Sequence, residues 1–409
     1  MLRGCVRAAV ALSAVAVAGT ASPASAAVLT REQAVARALS ENAEVQSLGA
    51  AVDAAEGVLG ADRRLLRNNP VVDGAVGPRE GADADTLDWS VGLTQSLEIA
   101  GQRGHRIALR EAELREARAR LEAKAVGLAA EVRQAFGAAL AARERKQLAD
   151  EATRLAQDAL DAATTRLEEG AGTRFEVNTA RVELGRAMRE RAVADQRVAA
   201  ADSALALLLA VGGDADLELA GTLGGQVAGA PAELRARAKQ RMDLVAAELQ
   251  VEAAKAAADL AQAEGFPDVA VGANYRREEG DRIVQGTLAV PLPLFDRNQE
   301  ARARAAAQVR QARAELGAAQ RRVEAELRLA LRRYESARAT VEAFGNDALQ
   351  ALQQNLEMVD EAYRAGKLDF LQLLLVRRET LASQLAWIDA REELDSAEAE
   401  LLRVLGRVE

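Results

Sequence analysis

The chain has 409 residues and a net charge of −9, with hydrophobic residues making up 49% and aromatic residues only 3%. Alanine supplies much of the apolar content. Small side chains let helices approach one another closely, so this composition favours helix–helix packing. Acidic and basic residues are interleaved without a basic patch, which excludes the electrostatic footprint of a nucleic-acid-binding protein.

Residues 1–26 have the pattern of a secretory signal peptide. Arg3 and Arg7 give a positive start. Ala8–Ala18 is an apolar run too short to cross a bilayer, and Ala24–Ala26 is a small-residue cleavage site. Cys5, the only cysteine, would be removed with this peptide, so the mature chain is expected to lack disulfides, catalytic thiols and cysteine-bound metal. No later stretch has the roughly 18 apolar residues of a transmembrane helix, so the exported chain should be either soluble or a β-barrel.

The first half is predicted to contain helices and one β-hairpin. Segment 29–67 has helical apolar spacing and is ended by Asn68-Asn69-Pro70. In Leu87–Thr94 the large apolar residues take odd positions and polar or small residues even ones, the period of a strand with one apolar face. The other predicted elements are a strand over 71–76, a loop over 78–85, a proline-free helix over 107–169 about 90 Å long, a glycine turn over 170–173, a helix over 175–209 and a glycine-rich linker over 212–231.

The second half repeats this order. Its predicted elements are a helix over 233–265, strands over 269–276 and 283–292, a long helix over 302–365, a turn over 366–369 and a helix over 370–405. Glu169-Gly170 and Ala365-Gly366 break the two long helices 196 residues apart, which indicates an internal duplication. The predicted organisation is a signal peptide over 1–26, a first repeat over 27–211, a linker over 212–231 and a second repeat over 232–409.

The two hairpins are predicted to need further copies of the chain. A single two-stranded hairpin is marginally stable in water, and a closed barrel has at least about eight strands, twice the number in this chain. The chain is therefore expected to form oligomers, although these considerations leave the number of copies open.

Three motifs within this duplicated architecture resemble the outer membrane efflux protein family, the TolC-like outer membrane factors. Leu288–Arg297 (LAVPLPLFDR) is similar to a strand end of the family, and Gly366–Leu371 (GKLDFL) is similar to its hairpin turn. Gln95–Arg103 (QSLEIAGQR) resembles a segment of the CzcC-like heavy-metal efflux branch. The resemblance extends over nearly the whole mature chain, about 29–405.

The resemblance implies a mainly α fold with a small β part. Three chains would form a twelve-stranded outer membrane β-barrel that continues into an α-helical barrel. The implied function is the passive outer membrane channel of a tripartite efflux system in a Gram-negative bacterium, carrying heavy-metal cations or drugs. The implied partners are two further copies in a homotrimer, a periplasmic adaptor of the membrane fusion type, an inner membrane pump of the RND type and outer membrane lipid.

The resemblance also assigns faces to the strands, with apolar positions against lipid and polar positions towards the pore. Residues expected to face lipid are Leu87, Trp89, Val91, Leu93, Val269, Val271, Ala273 and Tyr275. Residues expected to line the pore are Asp88, Ser90, Thr94, Asn274 and Arg276. For Trp89 and Tyr275, packing inside the protein is an equal alternative. Gly101, Pro291 and Pro293 are expected where strands turn into helices.

The two helix–turn–helix tips match the positions that contact the adaptor in the family. These positions are Gly170, Gly172, Thr173, Phe175, Gly366, Leu368 and Phe370. A plain helix C-cap would also require Gly170 and Gly366. Some family members carry two aspartates that narrow the periplasmic entrance, but Gln372 and Leu375 occupy those positions here. Any periplasmic constriction is therefore expected to be shaped by Asp369, Gln372, Leu375 and Glu176.

No catalytic, cofactor-binding or metal-binding group is predicted, and the chain is not expected to be an enzyme. His105 is the only histidine, and one histidine without cysteine cannot build the usual transition-metal site. The alternatives to an efflux channel are a periplasmic coiled-coil adaptor, a structural protein, or the outer membrane channel of a type I secretion system. Four amphipathic strands placed symmetrically in two repeats favour a channel over an adaptor.

Overall fold

The computed structural model describes residues 28–80, 85–212, 217–224, 227, 231–365 and 367–408. The predicted signal peptide and Gly366 lie outside the described residues. Within these ranges the protein is mainly helical with a small β part, which is the predicted fold class. None of the helices described is long and apolar enough to cross a membrane.

The first repeat contains two short helices where one was predicted. Its elements are β1 (Leu29–Thr30), α1 (Arg31–Glu41), α2 (Ala43–Asp62), β2 (Val71–Arg79), β3 (Thr86–Leu97), α3 (Gln102–Glu168) and α4 (Arg174–Leu208). Asn42 separates α1 from α2 because its backbone is extended, at φ −68° and ψ 126°. Its side-chain oxygen accepts a hydrogen bond from the Glu44 N–H at 2.9 Å, so Asn42 caps the second helix.

The second repeat follows the same order with three differences from the prediction. β4 (Leu219–Ala220) lies in the predicted linker before it. The elements that follow are α5 (Pro231–Ala238), α6 (Met242–Ala263), β5 (Val269–Glu278), β6 (Asp281–Ala289), α7 (Gln299–Arg364) and α8 (Phe370–Val404). The first helical segment is divided in two, as in the first repeat. β6 ends before Leu292 because Pro291 and Pro293 have no N–H to continue the ladder. Gly345 interrupts α7 at φ 54° and ψ 151°, a conformation that glycine adopts readily.

A small parallel sheet joins the start of the chain to the predicted linker. Leu29 pairs with Leu219 and Thr30 pairs with Ala220. The Leu29 N–H also donates to the Glu218 carbonyl oxygen at 2.7 Å. Two residues are too few to show the period of a strand, so this pairing was missed in the sequence.

The described residues form two compact units, and each unit draws on both repeats. The first contains the described residues up to Gln46 together with Ala123–Arg241 and the chain from Val323 onwards. The second contains Ser47–Glu122 and Met242–Arg322 and includes the larger sheet. Among the largest fully buried side chains of the first unit are Phe136, Phe370, Leu128 and Leu205.

Candidate functional site: the sheet and the hairpin turns

The larger sheet joins both hairpins in the antiparallel order β2-β3-β5-β6. In its register, Val91 lies opposite Gly74 on β2 and opposite Tyr275 on β5. Leu93 lies opposite Val72 and Ala273 in the same way. Directly opposed residues of antiparallel strands share a face, so the register determines the face of every strand residue.

One face of this sheet carries most of the apolar side chains of the four strands, together with Gln95, Arg277 and Arg282. The apolar residues are Val72, Val76, Leu87, Trp89, Val91, Leu93, Val269, Val271, Ala273, Tyr275, Val284 and Leu288. Several of these residues are largely exposed in the single chain, including Val76 at 72% and Val284 at 77%. The rings of Trp89 and Tyr275 contact each other on this face, with centroids 5.2 Å apart. An exposed apolar surface of this kind is typical of a membrane or protein contact.

The opposite face is mainly polar, although Val71 and Ile283 also lie on it. It carries Asp88, Ser90, Thr94, Asn274 and Arg276, together with Asp73, Gln285 and Thr287. At its turn end, the Arg79 guanidinium donates to Asp88 at 2.7 Å and to Glu279 at 2.9 Å, and it also contacts Glu278. Arg79 therefore ties the first hairpin to the turn of the second.

The two outer strands leave the sheet open. β2 pairs only with β3, and β6 pairs only with β5, among the described residues. Each outer strand therefore presents one row of backbone N–H and C=O groups without a strand partner in the single chain. Open edges of long strands are sites where another strand adds.

The segments between strands and long helices are shaped by two residues in the left-handed region. Gly101 precedes α3 at φ 78°, and Asn298 precedes α7 at φ 61°. The N–H groups of His105 and Arg302 donate to the carbonyl oxygens of these two residues at 3.2 and 3.0 Å. Glycine and asparagine are the residue types that tolerate this backbone conformation best. Asn298 was missed in the sequence, although an Asn just before a helix was the available signal.

Gln102, the first residue of α3, connects the two repeats beside the sheet. It is 2% exposed, and its side-chain amide donates to the Phe266 carbonyl oxygen at 3.3 Å. The same amide group approaches the Asp268 carboxylate at 3.5 Å, and its oxygen accepts from the Ala100 N–H at 2.8 Å. These long-range bonds gave no signal in the sequence.

The first tip is a complete helix stop followed by a complete helix start. Gly170 has φ 76° and donates to the Leu167 carbonyl oxygen at 3.1 Å, while Ala171 donates to Arg166 at 2.9 Å. This pair of bonds is a Schellman motif, which requires a residue such as glycine in the left-handed region. A Cβ at Gly172 would lie 2.9 Å from the Leu167 nitrogen, so this position also requires glycine.

The second tip repeats the longer-range of these bonds 196 residues later. The Lys367 N–H donates to the Ala362 carbonyl oxygen at 2.9 Å, as Ala171 does to Arg166 in the first tip. Capping boxes then open both following helices. Thr173 with Glu176 opens α4, and Asp369 with Gln372 opens α8. Asp369, Gln372, Thr173 and Glu176 therefore have a local structural role, whether or not they also shape an entrance.

Phe370 does not fit its predicted place on the adaptor-docking surface. It is 2% exposed and packs in a core with Tyr363, Leu373 and Val177. A partner protein cannot reach it, because residues of α3, α4 and α7 pack in the same buried cluster. The neighbouring Leu371 is 54% exposed. The exposed apolar position of the second tip is therefore one residue after the predicted contact at Phe370.

The exposed apolar residues at the tips are Phe175, Leu371 and Leu375. Their exposed fractions are 64%, 54% and 68%. Phe175 and Leu371 occupy equivalent positions in the two repeats, 196 residues apart. Leu368 is only partly exposed. These three side chains are available for contact with another chain.

The helical pairs above the tips are joined by aromatic and charged contacts. The Arg166 guanidinium lies 5.3 Å from the centre of the Tyr363 ring. Burial raises the pKa of the Tyr363 hydroxyl, against the nearby positive charge of Arg166. The Glu183 carboxylate on α4 accepts hydrogen bonds from Arg378 on α8 and from Arg186 on α4. A cavity of about 510 Å³ between these helices is lined mainly by alanine and leucine.

No group of three or more His, Cys, Asp or Glu side chains in the described part of the chain is arranged to hold a metal ion.

The family comparison matches both repeats of the chain. The model of the outer membrane efflux protein family matches residues 34–211 and 234–407. The chain belongs to the outer membrane efflux protein family. It is therefore an efflux channel of the outer membrane, and channels of this family form trimers that act with an adaptor and an inner membrane pump.

Two similar proteins are named for resistance to metals. The cobalt-zinc-cadmium resistance protein CzcC of Cupriavidus metallidurans is 25% identical over 382 residues, which cover 93% of this chain and 90% of that protein. The nickel-cobalt-cadmium resistance protein NccC of Alcaligenes xylosoxydans is 30% identical over 230 residues, which cover 53% of this chain and 51% of that protein.

Solved channel structures share the fold. The outer-membrane channel OprN superposes with a TM-score of 0.75 at 22% identity, covering 92% of this chain and 89% of OprN. CusC gives a TM-score of 0.74 at 21% identity, covering 92% of each chain. The open-state MtrE channel of Neisseria gonorrhoeae gives 0.74 at 18% identity, covering 92% of this chain and 89% of MtrE.

Proposed function

We propose that three copies of this chain close their sheets into a twelve-stranded outer membrane barrel, with the long helices forming the periplasmic part of a homotrimeric channel. The register of the sheet carries this proposal, because it gathers most of the apolar residues of the four strands on one exposed face. That face would contact lipid, and Asp88, Ser90, Thr94, Asn274 and Arg276 would line the pore. The open edges of β2 and β6 would pair with neighbouring copies, leaving no edge exposed.

The cargo we propose is a heavy-metal cation, delivered by an inner membrane pump of the RND type through a periplasmic adaptor. The support is the similarity to two proteins named for resistance to cobalt, cadmium, zinc and nickel. A passive channel needs no ligand set of its own, since selection would take place in the pump.

The adaptor would dock at the tips, on Phe175, Leu371 and Leu375. Gly170 and Gly172 would shape the turn of the first tip. The support for docking on these three side chains is their exposure at the end of helices that begin with capping boxes. If the periplasmic end narrows, the exposed side chains nearest to it are Asp369, Gln372 and Leu375, with Glu176 in the first repeat.

Membrane assembly tests the assignment of faces. Val91→Asp would place a charge against lipid, which destabilises a barrel most strongly near the bilayer centre, and should reduce the yield of trimers in the outer membrane. Ser90→Asp, one residue away on the polar face, is the matched control and should assemble normally. Equal assembly of the two variants would contradict the proposal. The N-terminal sequence of the assembled protein should begin after Ala26, as cleavage of the signal peptide requires.

Metal resistance tests the cargo. Deleting the gene should lower the tolerated concentrations of cobalt, zinc, cadmium or nickel, and the wild-type gene should restore them. A strain that becomes sensitive to hydrophobic drugs while its metal tolerance is unchanged would show that the cargo is a drug.

Docking is tested at the tips by Phe175→Ser combined with Leu371→Ser. Both side chains are exposed, so trimers should form normally while efflux is lost. Met188→Ser is the matched control, because Met188 is 57% exposed on α4 away from the turn. Unchanged efflux in the double variant would exclude docking on these residues.

A further inference from the structure

The apolar alternation of β6 continues beyond the end of the strand. Val284 and Leu288 lie on the apolar face of the sheet, and the same alternation in the sequence reaches Val290, Leu292 and Leu294. The last three side chains are 46%, 74% and 66% exposed, although the hydrogen-bonded strand ends at Ala289. The adjacent Phe295 is 91% exposed, the largest exposed fraction among the large apolar residues that the structure describes.

Exposed apolar side chains also occur at the other three junctions between helices and this sheet. Leu65 follows α2 and is 82% exposed, Ile99 follows β3 and is 63% exposed, and Phe266 precedes β5 and is 61% exposed. Every junction where a helix meets the sheet therefore exposes at least one large apolar residue. The junction belt is defined here as Leu65, Ile99, Phe266, Leu292, Leu294 and Phe295.

Three arginines close in sequence to the junction belt have no carboxylate partner among the described residues. The Arg103 guanidinium donates to the carbonyl oxygens of Arg63 at 2.6 Å and Arg64 at 3.0 Å. The Arg297 guanidinium donates to the Pro293 carbonyl oxygen at 3.0 Å. No hydrogen bond or ion pair of the Arg64 side chain is found among the described residues, and this residue is exposed. Because carbonyl groups hold the first two guanidiniums without neutralising them, these arginines can still bind an anion.

We propose that the junction belt lies in the headgroup region of the periplasmic leaflet of the outer membrane, with Arg64, Arg103 and Arg297 binding the phosphates of phospholipids. Exposed apolar side chains beside arginines are the combination that binds a membrane interface. The planar guanidinium can donate two parallel hydrogen bonds to one phosphate. The belt also continues the apolar face of β6, which supports lipid as its occupant over an aqueous partner.

This inference rests on the proposed function, which places the sheet in the bilayer and the helices in the periplasm. The phosphates of outer-leaflet lipid would lie near the opposite end of the sheet, beside Arg79. The occupant of the junction belt is therefore phospholipid of the periplasmic leaflet of the outer membrane.

A spin label at Phe295→Cys tests the location. Substitution of an exposed side chain should leave the fold intact, and the predicted mature chain offers no other cysteine. In trimers reconstituted into phosphatidylethanolamine and phosphatidylglycerol, the label should be more accessible to oxygen than to a water-soluble nickel complex. Preferential access of the nickel complex would place the belt in water. Access of neither reagent would place it against a neighbouring subunit. Either result overturns the inference.

The headgroup contact is tested by removing the arginines. Arg64→Gln breaks no contact in the described structure, and Arg297→Gln removes only the bond to Pro293. Enrichment of phosphatidylglycerol around the purified trimer, measured by native mass spectrometry, should fall about fivefold for each arginine removed. Arg181→Gln, an exposed arginine on α4, is the matched control and should change nothing. Equal enrichment in all variants would contradict phosphate binding at the junction.

A label at Val91→Cys distinguishes the two proposals. If Val91 is in lipid and Phe295 is not, the barrel stands and the junction inference fails. If Val91 is not in lipid, the proposed function itself fails.

Discussion

The two repeats share backbone hydrogen bonds but differ in side chains. α4 and α8 end alike: the Val211 N–H donates to the Ala206 carbonyl oxygen, and the Arg407 N–H donates to the Leu402 carbonyl oxygen, both at 3.0 Å. In each repeat the residue just before this donor lies in the left-handed region. It is alanine at position 210 in the first repeat and glycine at position 406 in the second.

This difference shows that the two repeats have the same backbone geometry at these helix ends, although only the second has glycine, the residue best suited to it. The tips show the same contrast. Both tips use a capping box, but the position that begins the following helix is an exposed Arg174 in one repeat and a buried Phe370 in the other. Both repeats therefore share the hydrogen bonds that end and begin their helices. The side chain at each equivalent position determines which repeat contributes to the hydrophobic core there.

The largest expected effect is at the helix start. Phe370→Ala should lower the free energy of unfolding by about 3–5 kcal/mol, because it empties a buried ring site. Arg174→Ala, the equivalent change in the first repeat, should cost less than about 0.5 kcal/mol, since this side chain is exposed. Thermal unfolding of purified trimers measures both. Similar losses in the two variants would contradict the asymmetry of the repeats.

An exchange at the helix ends should produce effects of opposite sign. Ala210→Gly should stabilise the protein by about 1 kcal/mol, because alanine at φ 54° is strained. Gly406→Ala should destabilise it by about 1–2 kcal/mol. An added Cβ there would meet its nearest atoms at 3.7 Å, an ordinary contact, so the cost is conformational. The shift of the unfolding midpoint in each variant provides the measurement, and a destabilised Ala210→Gly protein would contradict the assigned strain.

The smallest effect is expected at the caps, where the repeats should behave alike. Thr173→Ala and Asp369→Ala each remove the side chain that accepts from the third N–H of the helix, at a cost of about 1 kcal/mol. Thr173→Ser and Asp369→Asn keep the acceptor and serve as controls. If the alanine variants unfold at the wild-type midpoint, the capping boxes contribute no stability.

Features that depend on neighbouring residues could be predicted from the sequence. The alternation in Leu87–Thr94 indicated which residues share a face, because a strand points successive side chains to opposite sides. The absence of proline indicated the two long helices. The equivalent glycine turns at Gly170 and Gly366, 196 residues apart, indicated the duplication. Each of these signals lies within a few residues or in a direct comparison of the halves.

Features that depend on distant contacts could not be predicted. The burial of Phe370 depends on Tyr363 and Val177, which come from other helices. The break at Gly345 was not predicted for a local reason: a single glycine inside a helical pattern does not by itself show whether the helix continues or breaks. The contacts of Gln102 depend on the segment near Asp268, on the other repeat.

The central claim is that the apolar face of the sheet contacts lipid while the other face lines a pore, and paired spin labels at Val91→Cys and Ser90→Cys test it most directly. In reconstituted trimers, the Val91 label should be accessible to oxygen and shielded from a water-soluble nickel complex, and the Ser90 label should show the reverse. Equal access of the nickel complex to both labels, or the opposite pattern, would contradict the account.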